Sequence, residues 1–435
     1  MTALCASCGG SSKSSKKTEV VPPVFGGIEK AAATDSDTVI LSWKMAQDNV
    51  TDQTKIRYLV FMAESPGGEA FSKPDFTTGA PYGITGYAVT GLKPNTSYYF
   101  VARARDEAGN SDMNMVEKSA KTLMACSPLP TGQADSPVTS VKVSAVNPRK
   151  VMAAIKAGAL VSSDDGGDSW KTGSVPGAGF TPTSLTLDKT RDSTAYASTS
   201  DRGVLRTADG GATWSEANAG ISNLWVLSIA ISQVNSLRLF AGTKDVDGNR
   251  PGNVFVSDNA GNSWYFYGQN ILMSATNADM RQIAPDPNTS RLYCATNHGL
   301  YLSDDLGQTW VPAANTPDFN ILSVAADPFN LDYILAGTNG SGVFFSASAG
   351  RSWSQGFATD SKAVVYAIAY SPSRANVVYI GTSSGLLRSD DSGKNWARFG
   401  GGMNGENVLS VAVDPQDENR VFAGTERKGL LRCQP

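Results

Sequence analysis

Ser163-Asp164-Asp165-Gly166-Gly167-Asp168-Ser169-Trp170 returns five times along this 435-residue chain. It comes back as Thr207-Ala208-Asp209-Gly210-Gly211-Ala212-Thr213-Trp214 and as Ser257-Asp258-Asn259-Ala260-Gly261-Asn262-Ser263-Trp264. The later copies are Ser303–Trp310, Ser346–Trp353 and Ser389–Trp396. At the third position stand Asp165, Asp209, Asn259, Asp305, Ser348 and Asp391. An acid there accepts backbone N–H groups inside a tight turn, and the glycine two residues on takes a conformation costly for other residues. The hydroxyls tie the arms of the turn together, and the tryptophan packs against a sheet. Asn259 and Ser348 carry no charge, so their turns are expected to be weaker. The tryptophans recur every 43–50 residues, room for four short strands per unit.

Two further pieces precede each turn. An alternating strand appears as Val226–Ile231, Ile321–Ala326, Val365–Tyr370 and Val408–Val413, and a second strand ends Ala241-Gly242-Thr243 or Ala336-Gly337-Thr338. A last unit has both pieces and Gly429-Leu430-Leu431-Arg432-Cys433, then stops before its turn. Six ordered copies resemble the Asp-box, or BNR repeat, of sialidases, sortilin-type receptors, xyloglucan-cleaving enzymes and photosystem II assembly factors. The resemblance implies a β-propeller, here of seven blades, the last lacking its outer strand. A ring must not leave edges unpaired, so the segment around Leu123–Pro128 is expected to supply that strand. Cys126 then lies beside Cys433, and a disulfide is expected to seal the ring in an oxidising compartment. Cys294, inside a strand, is expected to be a buried free thiol.

Residues 22–122 show short alternating strands separated by turn residues. Val39–Trp43 and Tyr58–Met62 are two of them, and Gly91-Leu92-Lys93-Pro94-Asn95-Thr96-Ser97-Tyr98 runs into a third. This stretch resembles the tyrosine corner of fibronectin type III domains, in which a buried Tyr hydroxyl satisfies backbone a few residues upstream. The expected fold is therefore all-β, an immunoglobulin-like (fibronectin type III) sandwich over 22–122 followed by a seven-bladed propeller over 123–435. Asp48, Asp52, Asp106 and Glu107 read as solvated turn acids, with a calcium site as the alternative.

Residues 1–21 hold Cys5-Ala6-Ser7-Cys8 and a Gly/Ser/Lys stretch without packing capacity. They resemble the end of a bacterial lipoprotein signal peptide, with Cys8 as the lipidated residue. Acyl chains on Cys8 anchor a chain without a spanning helix. The alternative is a disordered N-terminus that happens to hold two cysteines. No run of eighteen apolar residues exists. A formal charge of −3 leaves no basic excess to grip nucleic acid. One histidine, His298, argues against His-rich metal sites, and no metal or cofactor is expected.

The repeated turns join third and fourth strands, so their acids are structural. The ligand face is expected at the other end, on loops carrying Lys156, Arg202, Lys244, Asp245, Asp247, Arg250, His298, Glu426, Arg427 and Lys428. A longer loop beginning Tyr265-Phe266-Tyr267 is expected to add aromatics there. Asp245-Val246-Asp247-Gly248-Asn249 starts like a calcium loop but lacks the closing Glu. The resemblance to sialidases implies an arginine cluster, an Arg-Ile-Pro segment, a Tyr/Glu nucleophile pair and six blades, and no Arg-Ile-Pro occurs in this sequence. The resemblance to xyloglucan-cleaving enzymes implies two propellers and a carboxylate pair, and neither stands out here. That to assembly factors implies a basic docking patch, loosely matched by Arg202, Arg250, Arg427 and Lys428. The expected function is a non-catalytic, exported lipoprotein, outer-membrane-anchored and cell-surface or periplasm-facing, that binds a protein partner or scaffolds an extracytoplasmic assembly through the loop face. The alternative is a glycan-binding or glycan-cleaving protein, its polysaccharide stacked on Trp225, Tyr265, Phe266 and Tyr267.

Overall fold

The computed structural model describes residues 21–79, 83–133, 135–177, 179–246, 252–267, 278–313, 320–356 and 363–434. Cys8, Asp247 and Arg250 lie outside these residues. The regular secondary structure of the described chain is almost entirely strand, and its one helical element is the short 3₁₀ turn Gln53–Lys55. It divides into two compact units, Met1–Thr122 and Leu123–Pro435.

The first unit holds two antiparallel sheets. One orders Lys30–Ala33, Val39–Ser42 and Gly86–Val89; the other orders Phe76–Thr77, Arg57–Ala63, Ser97–Arg105 and Lys118–Lys121. Alternation along Val39–Ser42 and Ser97–Arg105 sends Val39, Leu41, Tyr98, Phe100, Ala102 and Ala104 into one core around Trp43 and Tyr58. The Trp43 and Tyr58 rings lie 5.0 Å apart, and Trp43 Nε1 donates to the Ile84 carbonyl at 2.9 Å. Tyr98 Oη accepts the Lys93 N–H at 2.9 Å, across a turn in which Asn95 takes φ 52°. The acids considered for calcium do local work. Asp48 accepts N–H bonds from Val50 and Thr51, Asp52 from Thr54 and Asp106 from Asn110, while Glu107 pairs with Lys55.

Within the second unit, seven four-stranded antiparallel sheets follow one another among the described residues. Six are built from consecutive strands, the first being Val138–Val143, Val151–Ile155, Ala159–Ser163 and Lys171–Thr172. The first strand of each sheet packs beside the first strand of the next, and Val408–Val413 of the seventh packs beside Val138–Val143. The sheets therefore surround a central channel. Each second strand is buried at all five residues, as in Leu239–Thr243 and Val421–Thr425, because neighbouring sheets cover both of its faces.

The seventh sheet takes its outer strand from the start of the unit. Cys126–Pro128 pairs antiparallel with Leu430–Cys433 in the register Cys433↔Cys126, Arg432↔Ser127 and Leu431↔Pro128. A Cys126–Cys433 disulfide spans 307 residues of sequence and fixes this closure. Elsewhere along the seam, Ser410 Oγ donates to the Val138 carbonyl at 3.1 Å. Arg420 and Arg432 both donate to the Gly166 carbonyl, at 2.8 and 2.9 Å, and Arg432 also reaches Asp168 at 2.7 Å. Cys294 is a buried free thiol, and burial pushes its pKa well up.

The repeated turns share one hydrogen-bond scheme. In the first, Ser163 Oγ donates to Asp165 Oδ1 at 2.7 Å and accepts the Gly167 N–H at 2.8 Å. Asp165 in turn accepts the Ser169 N–H at 2.9 Å and its hydroxyl at 2.5 Å. Asn259 reproduces the set, accepting the Ser263 N–H at 2.9 Å while its own amide donates to Ser263 Oγ at 2.8 Å. Ser348 Oγ accepts the Ser352 N–H at 2.9 Å, so a hydroxyl also holds the turn. Two successive residues are left-handed, Gly166 (φ 80°) with Gly167 (φ 100°) and Leu306 (φ 60°) with Gly307 (φ 89°).

Candidate functional site: the channel mouth

Every first strand of the second unit carries a β-bulge at its second residue. The register jumps from Pro182↔Thr199 to Ser184↔Ser198, from Met280↔Thr296 to Gln282↔Ala295 and from Val365↔Thr382 to Ala367↔Gly381, with the same step in the other sheets. A bulged residue drops out of the ladder and its side chain is re-aimed. The seven residues so displaced are Thr139, Thr183, Leu227, Arg281, Leu322, Tyr366 and Leu409, and all seven line the same cavity in the channel.

In five of the seven sheets the residue after the bulge stitches neighbouring sheets together. Ser140 Oγ accepts the Leu185 N–H at 3.2 Å, Ser228 Oγ accepts the Ile283 N–H at 2.8 Å, and Gln282 Oε1 accepts the Val324 N–H at 2.9 Å. Ser323 Oγ donates to the Val365 carbonyl at 3.2 Å. These bonds satisfy backbone groups that no ladder reaches.

Three cavities stack along the channel. The mouth, about 480 Å³, is lined by Pro137, Lys156, Pro182, Trp225, Leu227, Arg281, Leu409 and Glu426 among others. Below it lies a cavity of about 210 Å³ through the bulge ring, then one of about 230 Å³ bounded by Ile229, Ala230, Ala284 and Val324. Lys142 lines both lower cavities and Arg281 both upper ones. Among the residues lining the three cavities, Glu426 is the single acid, and it accepts the Asn407 amide at 2.6 Å.

The charges at depth are perturbed. Lys142 is open to the channel but ringed by protein, and that desolvation pulls its pKa down. Burial likewise lowers Arg281, whose Nη1 donates to Asn320 Oδ1. It raises the Tyr366 hydroxyl, with Glu426 adding to the effect. At the rim, Trp225 is 36% exposed and carries the Lys244 ammonium 4.4 Å over its ring, a cation–π arrangement.

The residues expected on this face fare unequally. Lys156, Trp225 and Glu426 come together at the mouth. Arg202 is engaged by Glu216 at 2.6 Å and sits over Gly177. Arg427 pairs with the buried Glu406 at 3.2 Å, and Lys428 Nζ donates to the Gly402 carbonyl. These cations brace neighbouring loops. Asp245 takes part through its backbone N–H, which donates to Asp279 at 3.1 Å. His298 is exposed in the turn after Thr296, whose hydroxyl accepts its N–H at 3.0 Å.

Tyr265–Tyr267 is a correction. These residues form the outermost strand of the third sheet, paired with Val254–Val256, and are not part of a loop. Tyr267 packs onto the core of that sheet, while Tyr265 is exposed on its outer edge beside the repeated turn. Sequence reasoning also missed Arg281, Tyr366 and Lys142. The available signal was alignment of the seven first strands, in which Lys142 and Arg281 are the only charged residues.

No family model matches the chain, and no curated protein does either. Solved structures do. YCF48 from Cyanidioschyzon merolae superposes with a TM-score of 0.54 at 16% identity, over 72% of this chain and 99% of that one. YCF48 bound to D1 peptide gives 0.55 at 15% identity, over 72% and 96%. An ancestral GH74 enzyme gives 0.56 at 18% identity over 72% of this chain, but the match spans only 46% of that enzyme. At such identities the likeness speaks for the fold alone: the second unit of this chain is a β-propeller.

Proposed function

We propose that this chain is an exported, non-catalytic binding protein whose seven-bladed Asp-box propeller takes a partner protein at the channel mouth. The observation that carries this reading is the composition of that mouth. Trp225, Leu227, Leu409, Pro137 and Pro182 supply an apolar floor beside Lys156 and Arg281. Partly exposed aromatics and arginines among apolar groups are the usual anchors of protein interfaces. Glycoside hydrolysis asks for two carboxylates across the sugar, and the mouth offers Glu426 alone among its described lining residues. A related fold, YCF48, is known bound to D1 peptide, which supports protein capture by propellers of this kind.

The rest of the chain fits such a role. The 22–122 unit, with its Tyr98 corner, serves as a fibronectin type III-like spacer. The Cys126–Cys433 bond fits an oxidising compartment outside the cytoplasm. Cys8 is the proposed lipid attachment point, which would hold the propeller at the outer membrane or cell surface.

The test is capture from detergent-solubilised membranes of cells that make the protein, with wild type and Trp225→Ala compared. Loss of a partly buried interface tryptophan is expected to lower partner recovery at least tenfold. Equal recovery by both proteins, or elution of bound oligosaccharide in place of protein, contradicts the reading.

A further inference from the structure

The seven strands that wall the channel contain no Asp or Glu, yet they contain Lys142 and Arg281. Arg281 lines the mouth and the cavity beneath it, Lys142 lines the two lower cavities, and Lys156 adds a third cation at the mouth. Among the described residues the Lys142 side chain makes no hydrogen bond or ion pair, while Arg281 donates to Asn320 and feels Asp279 as the one acid near enough to act on its charge. Several other cations of the propeller have a carboxylate beside them. Lys150 pairs with Asp164, Arg202 with Glu216, Arg291 with Asp304 and Arg388 with Asp390. A desolvated ammonium with no counter-charge costs stability. Nothing in the packing of the sheets calls for one, because the equivalent position of the third sheet is Ala230 and that of the seventh is Ala412.

We infer that the channel is an acid-reading site. A partner segment lays apolar side chains on Trp225, Leu227 and Leu409 and sends a carboxylate down past Arg281 to Lys142. The inference rests on the partner docking at the mouth and adds the chemistry of what it inserts. Two sources of that carboxylate share the chemistry, a chain terminus or an Asp or Glu side chain. The bulge ring favours a single extended segment, since the cavity beneath the mouth is about 210 Å³. Fixed cations in such a confined lumen attract an anion far more strongly than cations on an open surface do.

The experiment selects from random octapeptides displayed on phage, with the immobilised full-length protein as bait. One library presents a free C-terminus and the other an internal loop. The expected result is a several-fold enrichment of Asp and Glu with wild type, and its loss with the Lys142→Met/Arg281→Gln double variant. The best synthetic peptide should bind that variant at least tenfold more weakly. Enrichment in the free-end library alone assigns the carboxylate to a chain terminus, and enrichment in both assigns it to a side chain. Recovery of the same peptides by the variant, or selection without acidic bias, overturns the inference. Lys142→Met alone is expected to melt at or above the wild-type temperature, which separates lost binding from lost folding. If membrane capture of the partner survives in the double variant, docking at the mouth stands and the acid reading falls.

Discussion

Asp209 sits at the surface, yet its carboxyl is pulled down to about 2. The Thr213 hydroxyl is the largest cause, followed by the Thr213 N–H and the Thr207 hydroxyl, all donating to it. Asp165 is held lower still by the same scheme through Ser169 and Ser163. A carboxyl whose folded pKa lies below its unfolded value contributes stability that is full above about pH 4. That contribution is lost as pH falls towards 2. The Asp165→Asn/Asp209→Asn double variant is therefore expected to show a flatter dependence of urea midpoint on pH between 2 and 5 than wild type. Its fold should survive, because Asn259 already holds the same turn with an amide. Parallel wild-type and variant curves would contradict this. Truncation is a different matter. Asp305→Ala leaves the Thr309 N–H and the Thr309 and Ser303 hydroxyls without their acceptor, at about 1–2 kcal/mol by analogy with a lost helix cap, readable by chemical denaturation.

Among the strands, the second of each sheet is where sequence and packing meet most tightly. A Cβ on Gly424 would strike Ser410 Oγ and stand 2.7 Å from the Val138 carbonyl, the two groups that close the seam between seventh and first sheets. Gly424→Ala is expected to cost about 1–3 kcal/mol through overpacking, measured as a lowered denaturant midpoint with an unchanged slope. Ala295, at the matching position of the fourth sheet, is fully buried with its Cβ in place, so the spacing there differs. Strand content was legible from the sequence where burial is two-sided, as in Leu239–Thr243. The outer strands were not. Lys171–Thr172, Ser215–Glu216 and Val311–Pro312 are exposed pairs whose pairing with the third strand, and not their own pattern, makes them strands. Tyr265–Tyr267 was misread for that reason. The bulges were equally invisible, since one extra residue leaves no compositional mark. Arg281 thus reads as a strand residue like any other until the bulge turns it into the channel.

For the molecule as a whole, the ring is closed by groups from both ends of the propeller sequence: the Cys126–Pro128 strand, the disulfide, and the arginines that grip Gly166. The closing strand and the disulfide were both readable from a last unit that stops short of its turn. The Cys126→Ser/Cys433→Ser variant is expected to lose about 2–5 kcal/mol while keeping its strand content. Equal stability under reducing and oxidising conditions would mean that the strand alone suffices. A closed ring leaves the channel mouth as a fixed surface, with Trp225, Arg281 and Lys156 converging from the third, fourth and first sheets. The most direct measurement is photo-crosslinking in cells, with a benzophenone amino acid placed at Thr181 or Ser200 at the mouth, or at Leu237 or Phe329 near the repeated turns. The account predicts a discrete protein adduct from the mouth positions and none from the turn positions. Adducts confined to Leu237 and Phe329, or no protein adduct from any position, would contradict it.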